Sequence, residues 1–493
     1  MTWKGRLKRG GAASVTLFVI VILVIVFRGL FVQSKQPVPQ TPKEFEPNQG
    51  FEQRLSDAIK IPTVSDQDPS KMDFAKWDEL FTLIESAYPK VHQTLARQKI
   101  GECSWVYEWK AAQGAGSVLF LAHTDVVPEE EEKLKEWEHP PFSGHVDDEF
   151  IWGRGALDDK VSVFGMLEAL EVLASRGYKP ERNIVLGFGC DEEVGGHLGA
   201  KAIKAHFERE NRRFVWSMDE GHIIGDGFFP GVDRPVAFIG LAEKGFVTLE
   251  LSAEGEGGHS SMPGKQTAVG ILARAISKLE ENPFPARLTP PVEGMLAHLA
   301  PEVNGPLRWV FANLWILEPL VLRVFAGKPS TNATVRTTTA LTVFHGGVRE
   351  NILPKTASAK VNFRILPGDT REGVLERAKE LIDDERVKID VPERGFNSNP
   401  TSPSSIDGLG YAVISQSIRN VWQDGVFVAP SLTVGGTDSR HFEPLADDTY
   451  RFLPLVLTPT DTPRIHGVNE RVSIEGYEKA IRLYAEVFQR LSE

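Results

Sequence analysis

The sequence predicts an α/β protein in which a layered domain is interrupted by a smaller inserted α+β domain. Three observations lead to this fold class: short apolar strands alternate with helices from Phe51 onward, half-exposed alternating strands follow Gly245, and core-type strands return at Val426. Alternating strands and helices are typical of a sheet with helices packed on its faces. The 493 residues are long enough for two or three such cores.

The N-terminus predicts a membrane anchor. Four basic residues, Lys4, Arg6, Lys8 and Arg9, precede an apolar stretch over 12–32 that only Arg28 interrupts. A helix of this length can cross a bilayer, and its basic flank stays in the cytoplasm. We therefore predict a single-pass membrane protein whose later residues face a periplasm, a lumen or the extracellular space. A cleaved signal peptide is the alternative, but the apolar run is long and no clear cleavage site follows it.

The chain divides into five predicted segments. Residues 1–33 form the basic flank and transmembrane helix, and the Pro-rich residues 34–47 form an extended tether outside the fold. The layered domain occupies 48–245, with buried strands at 117–122, 183–189 and 214–218 and helices at 161–176 and 199–209. It resumes over 394–493, with strands at 426–430 and 450–457 and a closing helix at 473–491.

The inserted domain is predicted over 246–393. Alternating strands at 247–253, 335–344, 357–365 and 387–391 surround helices at 267–281 and 371–384. Within it, 306–326 is unusually apolar, but its charged residues and Pro319 disfavour a second membrane span. We interpret it as a helical hairpin packed on the insert. An apolar wall for an acyl chain or a membrane-contacting surface is the alternative.

Composition narrows the partners. The net charge of −12 and the absence of a concentrated Lys/Arg stripe exclude a nucleic-acid partner and favour a small-molecule substrate. The chain has only two cysteines, Cys103 and Cys190, and Cys190 ends an apolar run. We expect Cys190 to be a buried small hydrophobe, and we expect no disulfide.

Acidic and histidine clusters follow the predicted core strands. Ligands of open α/β sheets gather at the carboxyl ends of strands, so clusters that are distant in sequence can converge there. In His123-Thr-Asp125 both side chains point to one side of an extended chain, and the Asp125 carboxylate can hold the His123 ring with one nitrogen free for a metal. After a Gly-rich turn, Asp158 can bridge two metals, whereas a helix cap by Asp158 or Asp159 is the alternative.

Three further clusters complete the metal hypothesis. Acids at 191–193 are costly to bury without a cation, so we expect Glu193 to ligate while Glu192 stays free to accept a proton. Either acid of the pair at 219–220 can ligate, and His466 is a ligand or, alternatively, a core histidine. Imidazole and carboxylate ligands suit Zn²⁺, with Mn²⁺ or Co²⁺ as substitutes. No Gly-x-Ser-x-Gly elbow is present, which leaves metal-activated water as the hydrolytic route.

Six motifs follow one another along the chain: His-Thr-Asp-Val-Val-Pro, Gly-Arg-Gly-Ala-Leu-Asp-Asp-Lys, Asp-Glu-Glu-Val-Gly-Gly, Met-Asp-Glu-Gly, Gly-Gly-His-Ser-Ser-Met-Pro and Ile-His-Gly-Val-Asn-Glu. In this order they resemble the aminoacylase / carboxypeptidase S family of di-zinc exopeptidases, and most closely its carboxypeptidase S and N-fatty-acyl-amino-acid synthase/hydrolase branch. The resemblance implies a zinc-exopeptidase-like layered catalytic domain with an inserted ferredoxin-like lid, which also serves for homodimerisation.

The resemblance also implies roles for individual residues. The metal ligands would be His123, Asp158, Glu193, Asp219 and His466. Asp219 is chosen over Glu220 by analogy with the closer branch. Glu192 would be the general base, Asp125 would orient His123, and His259 would stabilise the oxyanion, often across a dimer interface. The expected substrate contacts are Asn332, Arg364, Gly435, Gly436 and Asp438. Asn332-Ala-Thr is alternatively an N-glycosylation acceptor.

Together these features predict a two-zinc hydrolase of amide bonds in N-acyl amino acids or small peptides, in which Glu192 deprotonates the attacking water. The same chemistry can also run toward synthesis. A carboxypeptidase or dipeptidase of the same family is the nearest alternative. A non-enzymatic, membrane-tethered binding module is the more distant one, and it is disfavoured because no ligand position is lost.

Overall fold

The computed structural model describes residues 3–112, 114–392 and 396–491. The α-helices are α1 (Trp3–Phe31), α2 (Phe51–Ile59), α3 (Phe74–Ala87), α4 (Pro89–Thr94), α5 (Lys160–Ser175), α6 (Ala200–Arg209), α7 (Ala268–Glu281), α8 (Pro290–Leu299), α9 (Pro306–Phe311), α10 (Leu314–Phe325), α11 (Pro329–Val335), α12 (Arg371–Ile382), α13 (Leu409–Trp422), α14 (Ser439–Phe442) and α15 (Ile474–Gln489).

The strands belong to four sheets. They are β1 (Ala96–Ile100), β2 (Ser104–Trp109), β3 (Ser117–His123), β4 (Phe150–Trp152), β5 (Asn183–Gly189), β6 (Trp216–Asp219), β7 (Ile224–Gly225), β8 (Val236–Glu243), β9 (Gly245–Glu254), β10 (Gly258–His259), β11 (Thr338–His345), β12 (Ile352–Leu353), β13 (Thr356–Ile365), β14 (Val387–Asp390), β15 (Phe427–Thr433), β16 (Thr449–Arg451), β17 (Val456–Leu457) and β18 (Arg471–Ser473).

The largest sheet forms the layered domain. Its strand order is β1-β2-β5-β3-β6-β16-β8-β7-β17, and β15 also pairs with β8. The central strands β5, β3, β6 and β16 run parallel, and their register places His123 beside Gly189 and Asp219 beside Arg451. The carboxyl ends of β3, β5 and β6 therefore meet at one edge, as the sequence predicted for its acidic clusters.

The inserted domain contains an antiparallel sheet with the order β11-β13-β9-β14. Its core joins the inner faces of β9 and β13 to helices α7 and α12. Both helices begin at a threonine N-cap: Thr267 and Thr370 accept a hydrogen bond from the N–H three residues ahead. The predicted strand at 335–344 begins only at Thr338, because Val335 ends α11.

The apolar segment 306–326 forms two helices, α9 and α10, separated by a break at Asn313. We expected this hairpin to pack on the inserted domain. Instead, α9 packs on α8 and on α1, while α8 lies against β15 and β8 of the layered domain. Val292, Leu296 and Phe311 share one core with Val236 and Phe427, so this region extends the layered domain.

A disulfide joins Cys103 to Cys190, so the expectation that the chain has no disulfide was wrong. The pairing follows from strand register, because antiparallel β2 and β5 place Trp105 opposite Phe188. Two residues further along, Cys103 therefore meets Cys190. The sequence did not show that β2 pairs with β5, and the two cysteines are 87 residues apart.

The N-terminal segment differs from the expected free anchor and tether. Among the residues that the structure describes, no helix is long and apolar enough to cross a membrane, so the predicted transmembrane span is not supported. Residues 34–47 have extended backbone but lie against the layered domain. The Gln36 side chain pairs with both backbone groups of Val428 at 2.9 and 2.6 Å, the Gln40 N–H donates to Asn420, and Phe45 is buried.

Candidate metal centre and active-site cleft

The predicted strand-end residues meet at a cavity of about 580 Å³ between the layered and the inserted domains. Glu192, Glu193 and His466 line it from the layered domain, while Phe246 and Arg364 line it from β9 and β13 of the insert. Residues that are more than 270 positions apart in the chain thus share one cleft. The residues of the layered domain converge because the loops that carry them lie at the carboxyl edge of its sheet.

One group of candidate ligands contains His123, Asp158 and Glu220. The Nε2 atom of His123 lies 2.9 Å from Oδ1 of Asp158 and 3.4 Å from Oε1 of Glu220. His123 ends β3 and is buried, so its ring is held at the base of the cleft. These three side chains can offer one ligand atom each to a single ion.

A second group shares Asp158 and adds Glu193 and His466. The Nε2 atom of His466 lies 3.0 Å from Oδ2 of Asp158 and 3.1 Å from Oε2 of Glu193. The two oxygens of Asp158 therefore point to different histidines. A carboxylate in this position can bridge two ions, as the sequence predicted for Asp158.

Asp125 holds the first group in place. Nδ1 of His123 lies 3.0 Å from the Asp125 backbone carbonyl and 3.3 Å from Oδ1 of its carboxylate. The same carboxylate accepts the backbone N–H groups of Glu192 at 3.1 Å and Glu193 at 3.2 Å. With Nδ1 engaged, Nε2 of His123 is the nitrogen that faces the ligand group.

The structure distinguishes the two acids at the end of β6. Asp219 belongs to neither ligand group, and its carboxylate accepts the backbone N–H groups of Ser439 at 2.7 Å and Glu220 at 2.9 Å. Glu220 lies beside His123 instead. The geometry thus favours Glu220 for the ligand position that we assigned to Asp219 by analogy.

The charges of the two groups compensate one another. Burial would raise the pKa of Asp158, but hydrogen bonds from His123 and His466 outweigh it and lower that pKa. Hydrogen bonds to Asp158 and Glu193 raise the pKa of His466 to about 10. Burial and the Asp158 charge raise the pKa of Glu220 to about 8. Such mutual perturbation is expected where several buried ligands converge without a positive ion.

The donor set fits two divalent cations. Each group offers at least one imidazole nitrogen and two carboxylate oxygens, and all donor atoms within a group lie within 4.8 Å of one another. The Oε1 atom of Glu193 is buried and has no hydrogen-bond partner, which is costly unless a cation faces it. Imidazole and carboxylate ligands suit zinc and related divalent metals.

Glu192 lines the cleft without belonging to either ligand group. Its side chain is nearly buried, and burial raises its pKa well above the usual range for a glutamate. The Asp125 carboxylate fixes its backbone. Both Glu192 and Glu193 line the cavity, but only Glu193 joins a ligand group.

The cleft lining also contains positively charged and aromatic side chains. They are Lys201, Arg364 and Arg440, together with Phe246 and Phe396. The Arg364 guanidinium lies over the Phe246 ring at 4.5 Å, and that of Arg440 lies over Phe396 at 5.8 Å. Guanidinium groups recognise carboxylates, and the aromatic rings offer apolar contact area.

Sequence comparison identifies the family. A model of peptidase family M20/M25/M40 matches residues 119–490. The chain belongs to this family. The resemblance drawn from the six motifs is confirmed, and the chain is a hydrolase of the M20 metallopeptidase type.

Several curated M20 relatives align over most of the chain. The N-fatty-acyl-amino acid synthase/hydrolase PM20D1 of Xenopus tropicalis is 42% identical over 88% of this chain and 84% of its own length. A probable carboxypeptidase S-like 2 of Dictyostelium discoideum is 38% identical, over 95% and 91%. Carboxypeptidase S of Saccharomyces cerevisiae is 31% identical, over 90% and 84%.

Solved structures show the same fold. An M20 family metallo-carboxypeptidase of Sulfolobus solfataricus has a TM-score of 0.67 at 18% identity and covers 90% of this chain and 99% of its own. The YXEP protein of Bacillus subtilis, whose description calls it a dinuclear metal-binding peptidase of the M20 family, has a TM-score of 0.54 at 13% identity and covers 90% and 98%.

Glu470 is a site residue of this M20 chain that the sequence analysis missed. It is buried, pairs with Arg154 at 2.8 Å and accepts the backbone N–H groups of Gly155 at 2.9 Å and Leu157 at 2.8 Å. Burial raises its pKa to about 7, against the opposing charge of Arg154. Glu470 thus shapes the turn that presents Asp158. The signal was present in Ile-His-Gly-Val-Asn-Glu, where only the histidine was assigned a role.

The expected substrate contacts are only partly brought together. Gly435, Gly436 and Arg364 line the cleft. His259 is exposed on β10 and Asn332 lies on α11, and neither is among the described cleft-lining residues. Asp438 is buried below the cleft floor, and burial raises its pKa well above the usual range.

Proposed function

We propose that this chain is a two-metal amidohydrolase that cleaves N-acyl amino acids. The observation that carries the proposal is Asp158, which belongs to both ligand groups beside a cleft that Arg364 and Arg440 also line. The ligand groups fit amide hydrolysis. The two guanidinium groups fit the free carboxylate of an amino acid.

We assign the ions as zinc. His123 and Glu220 would hold one ion, Glu193 and His466 the other, and Asp158 both. When bound, the ions supply Lewis acidity to the amide carbonyl and lower the pKa of water. Asp125 keeps the His123 ring oriented. Asp219 has a supporting role, since its carboxylate ties β6 to the backbone of Ser439.

Glu192 is the proposed general base. It faces the cavity, and a proton taken from the attacking water by its carboxylate can be passed to the leaving nitrogen. Its burial keeps bulk water from competing for that proton. Gly435, Gly436 and Arg364 would bind the amino-acid end of the substrate. Asn332 and His259 would act from the inserted domain, with His259 donating to the oxyanion.

The lining of the cleft and the names of the relatives both bear on the acyl group of the substrate. Phe246 and Phe396 offer an apolar wall for a hydrophobic side chain or acyl chain. The names of the relatives include fatty-acyl-amino-acid synthase/hydrolases as well as carboxypeptidase S. We favour an N-fatty-acyl amino acid and reversible chemistry, with a peptide substrate as the competing assignment.

We further propose that the M20 domain faces an oxidising compartment. The Cys103–Cys190 disulfide supports this assignment, since disulfides persist mainly outside the cytoplasm. The basic and then apolar N-terminal sequence agrees with a membrane-attached, non-cytoplasmic enzyme. Exposed His259 on the inserted domain fits a homodimer in which one subunit completes the site of the other.

The deciding experiment compares substrates on the purified full chain loaded with zinc. N-oleoyl-phenylalanine should be hydrolysed with a higher kcat/KM than the matched dipeptide leucyl-phenylalanine. Metal analysis should give two zinc ions per chain. Preference for the dipeptide would assign carboxypeptidase or dipeptidase activity instead. A zinc-loaded chain without turnover of either compound would contradict the proposed function.

A further inference from the structure

The outer face of α10 is mostly apolar, and Arg323 is the exposed charged residue on it. Its inner residues Val321 and Phe325 are buried in the core shared with α8. The opposite face would normally be polar in a protein surrounded by water. Here Trp315 is 58% exposed, Leu320 50% and Val324 59%. The helix is thus apolar on both faces and has water-exposed side chains that usually require a partner.

Helix α1 also exposes apolar side chains, in the part of the helix whose side chains the structure describes. Val21, Ile25 and Gly29, spaced four residues apart, form the one stripe that is shielded from solvent. The large apolar side chains on its other faces are exposed, and they are Leu17, Phe18, Val19, Ile20, Ile22, Leu23, Val24, Val26, Phe27, Leu30 and Phe31. A helix that is apolar all round belongs in a protein core or in lipid.

Specific contacts fix α1 to the hairpin. At Gly29 the two helices approach so closely that a Cβ atom would overlap the Trp309 ring. Arg308 donates from Nε to the Gly29 carbonyl at 2.8 Å. The buried Asn313 side chain donates to the Ile25 carbonyl at 3.0 Å. The apolar faces of α1 and α10 are therefore held together as one surface.

The chemistry of this surface identifies what covers it. The indole N–H is the polar group of the exposed Trp315 side chain, and it donates to Asn313 at 3.2 Å. Such a surface gives a polar partner little to bind, whereas hydrocarbon requires nothing more than apolar contact. Exposed apolar surface of this extent marks a protein or membrane interaction site. The basic N-terminal residues Lys4, Arg6, Lys8 and Arg9 add attraction for anionic headgroups.

We propose that the outer faces of α1 and α10, here called the α1–α10 surface, bind the acyl chains of a lipid bilayer. The hairpin is thus a second lipid contact beside the N-terminal helix, and it holds the M20 domain against the membrane in one orientation. Contact with acyl chains from one side does not require that any helix crosses the bilayer.

The test uses a fluorescent probe at single positions of the full chain. Both native cysteines form the disulfide, so a cysteine introduced at Leu320 or Val324 is the free thiol available for an NBD label. Val348→Cys is the matched control, because Val348 is also a large apolar residue and is 91% exposed on the inserted domain. Labelled proteins are reconstituted into phosphatidylcholine/phosphatidylserine vesicles with or without doxyl-labelled acyl chains, and circular dichroism checks their fold.

The expected result is a blue-shifted NBD emission at 320 and 324 that doxyl lipids quench at least twofold, with neither effect at 348. Emission at 320 and 324 that matches position 348 would overturn the proposal. A blue shift without doxyl quenching would also overturn it, because another protein surface or a second copy of the chain would then cover α10. If circular dichroism shows that the protein labelled at position 320 is misfolded, the result at position 324 decides.

Discussion

The Asp125 carboxylate accepts the backbone N–H of Glu192 at 3.1 Å. Asp125 follows β3 and Glu192 follows β5, so this hydrogen bond joins two strand ends across the cleft floor. Nδ1 of His123 lies 3.3 Å from the same carboxylate and 3.0 Å from the Asp125 backbone carbonyl. The Asp125 carboxylate thus positions the proposed base and helps its own backbone carbonyl to orient a proposed ligand.

Asp125→Asn should therefore reduce both metal affinity and turnover. The amide keeps the size of the carboxylate but removes its charge and one of its acceptor oxygens. Loss of such a partner typically costs about 10- to 100-fold in affinity or activity. Zinc titration and kcat measure the effect. Asp191→Asn is the control, because the Asp191 carboxylate belongs to neither ligand group, accepts the backbone N–H groups of Leu198 and Gly199, and should leave zinc affinity intact. Wild-type zinc affinity in Asp125→Asn would contradict the orienting role.

Glu192→Gln should abolish turnover without loss of metal. The amide has almost the same shape but cannot accept a proton, and removal of a general base costs roughly 10²- to 10⁴-fold in rate. The measurement pairs kcat on N-oleoyl-phenylalanine with zinc content by atomic emission. Glu193→Gln is the matched comparison, since it should lower zinc content as well as kcat. Retained turnover in Glu192→Gln would refute its role as base.

A metal assay should distinguish Asp219, the last residue of β6, from Glu220, which follows it. Glu220→Gln should bind less zinc than wild type, because Glu220 faces His123 in one ligand group. Asp219→Asn should keep two zinc ions and lose mainly thermal stability, because its carboxylate holds the Ser439 backbone. The opposite pattern would restore Asp219 as the ligand.

These assignments show where the sequence was informative. Strand ends could be located from apolar runs, and parallel strands bring their carboxyl ends together, so the proximity of His123 and Asp158 could be predicted without coordinates. Their role as metal ligands stays a prediction. The choice between Asp219 and Glu220 depends on which side of the chain faces the cleft once β6 has ended. That direction is set by the hydrogen bond to Ser439, more than 200 residues away.

Long-range pairing explains the other differences. The Cys103–Cys190 bond depends on the pairing of β2 with β5, which local sequence patterns do not reveal. The segment 34–47 is polar and Pro-rich, so its local sequence predicts a tether outside the fold. It is ordered by partners such as Val428 and Asn420, which lie nearly 400 residues further along the chain.

Lys244 should make stability depend on pH. Burial, with a smaller contribution from Arg364, lowers its pKa to about 7, while Nζ donates to the Ala333 and Arg336 carbonyls at 2.8 Å. In the unfolded chain the Lys244 amine titrates near its ordinary pKa of 10.5. Below pH 7 both states are protonated and the cost of burying the charge is complete. Between pH 7 and 10.5 the unfolded state binds more protons, so this residue makes the free energy of unfolding rise with pH.

Lys244→Met should remove that rise. Urea unfolding at pH 6.5, 8 and 9.5 gives the free energy of unfolding for both proteins, and all other titrating groups cancel in the difference. The wild type should gain stability relative to the variant, by at most about 1.4 kcal/mol per pH unit for one proton. Parallel curves would show that Lys244 stays protonated in the folded chain.

The Cys103–Cys190 disulfide should stabilise both the fold and the base-bearing turn. Cys190 directly precedes the acids at 191–193, so the bond ties that turn to β2. Restriction of the unfolded chain by a bond across 87 residues corresponds to about 4.6 kcal/mol, and disulfides typically contribute about 2–4 kcal/mol.

The Cys103→Ala/Cys190→Ala variant should therefore unfold at a lower urea concentration than the oxidised wild type. It should also lose activity at temperatures that the wild type tolerates. Dithiothreitol should destabilise the wild type and leave the double variant unchanged, which separates the bond from the packing of the two side chains. Equal stability of oxidised and reduced wild type would mean that β2–β5 pairing alone holds the turn. The position of Glu192 would then depend on the Asp125 hydrogen bond rather than on the disulfide.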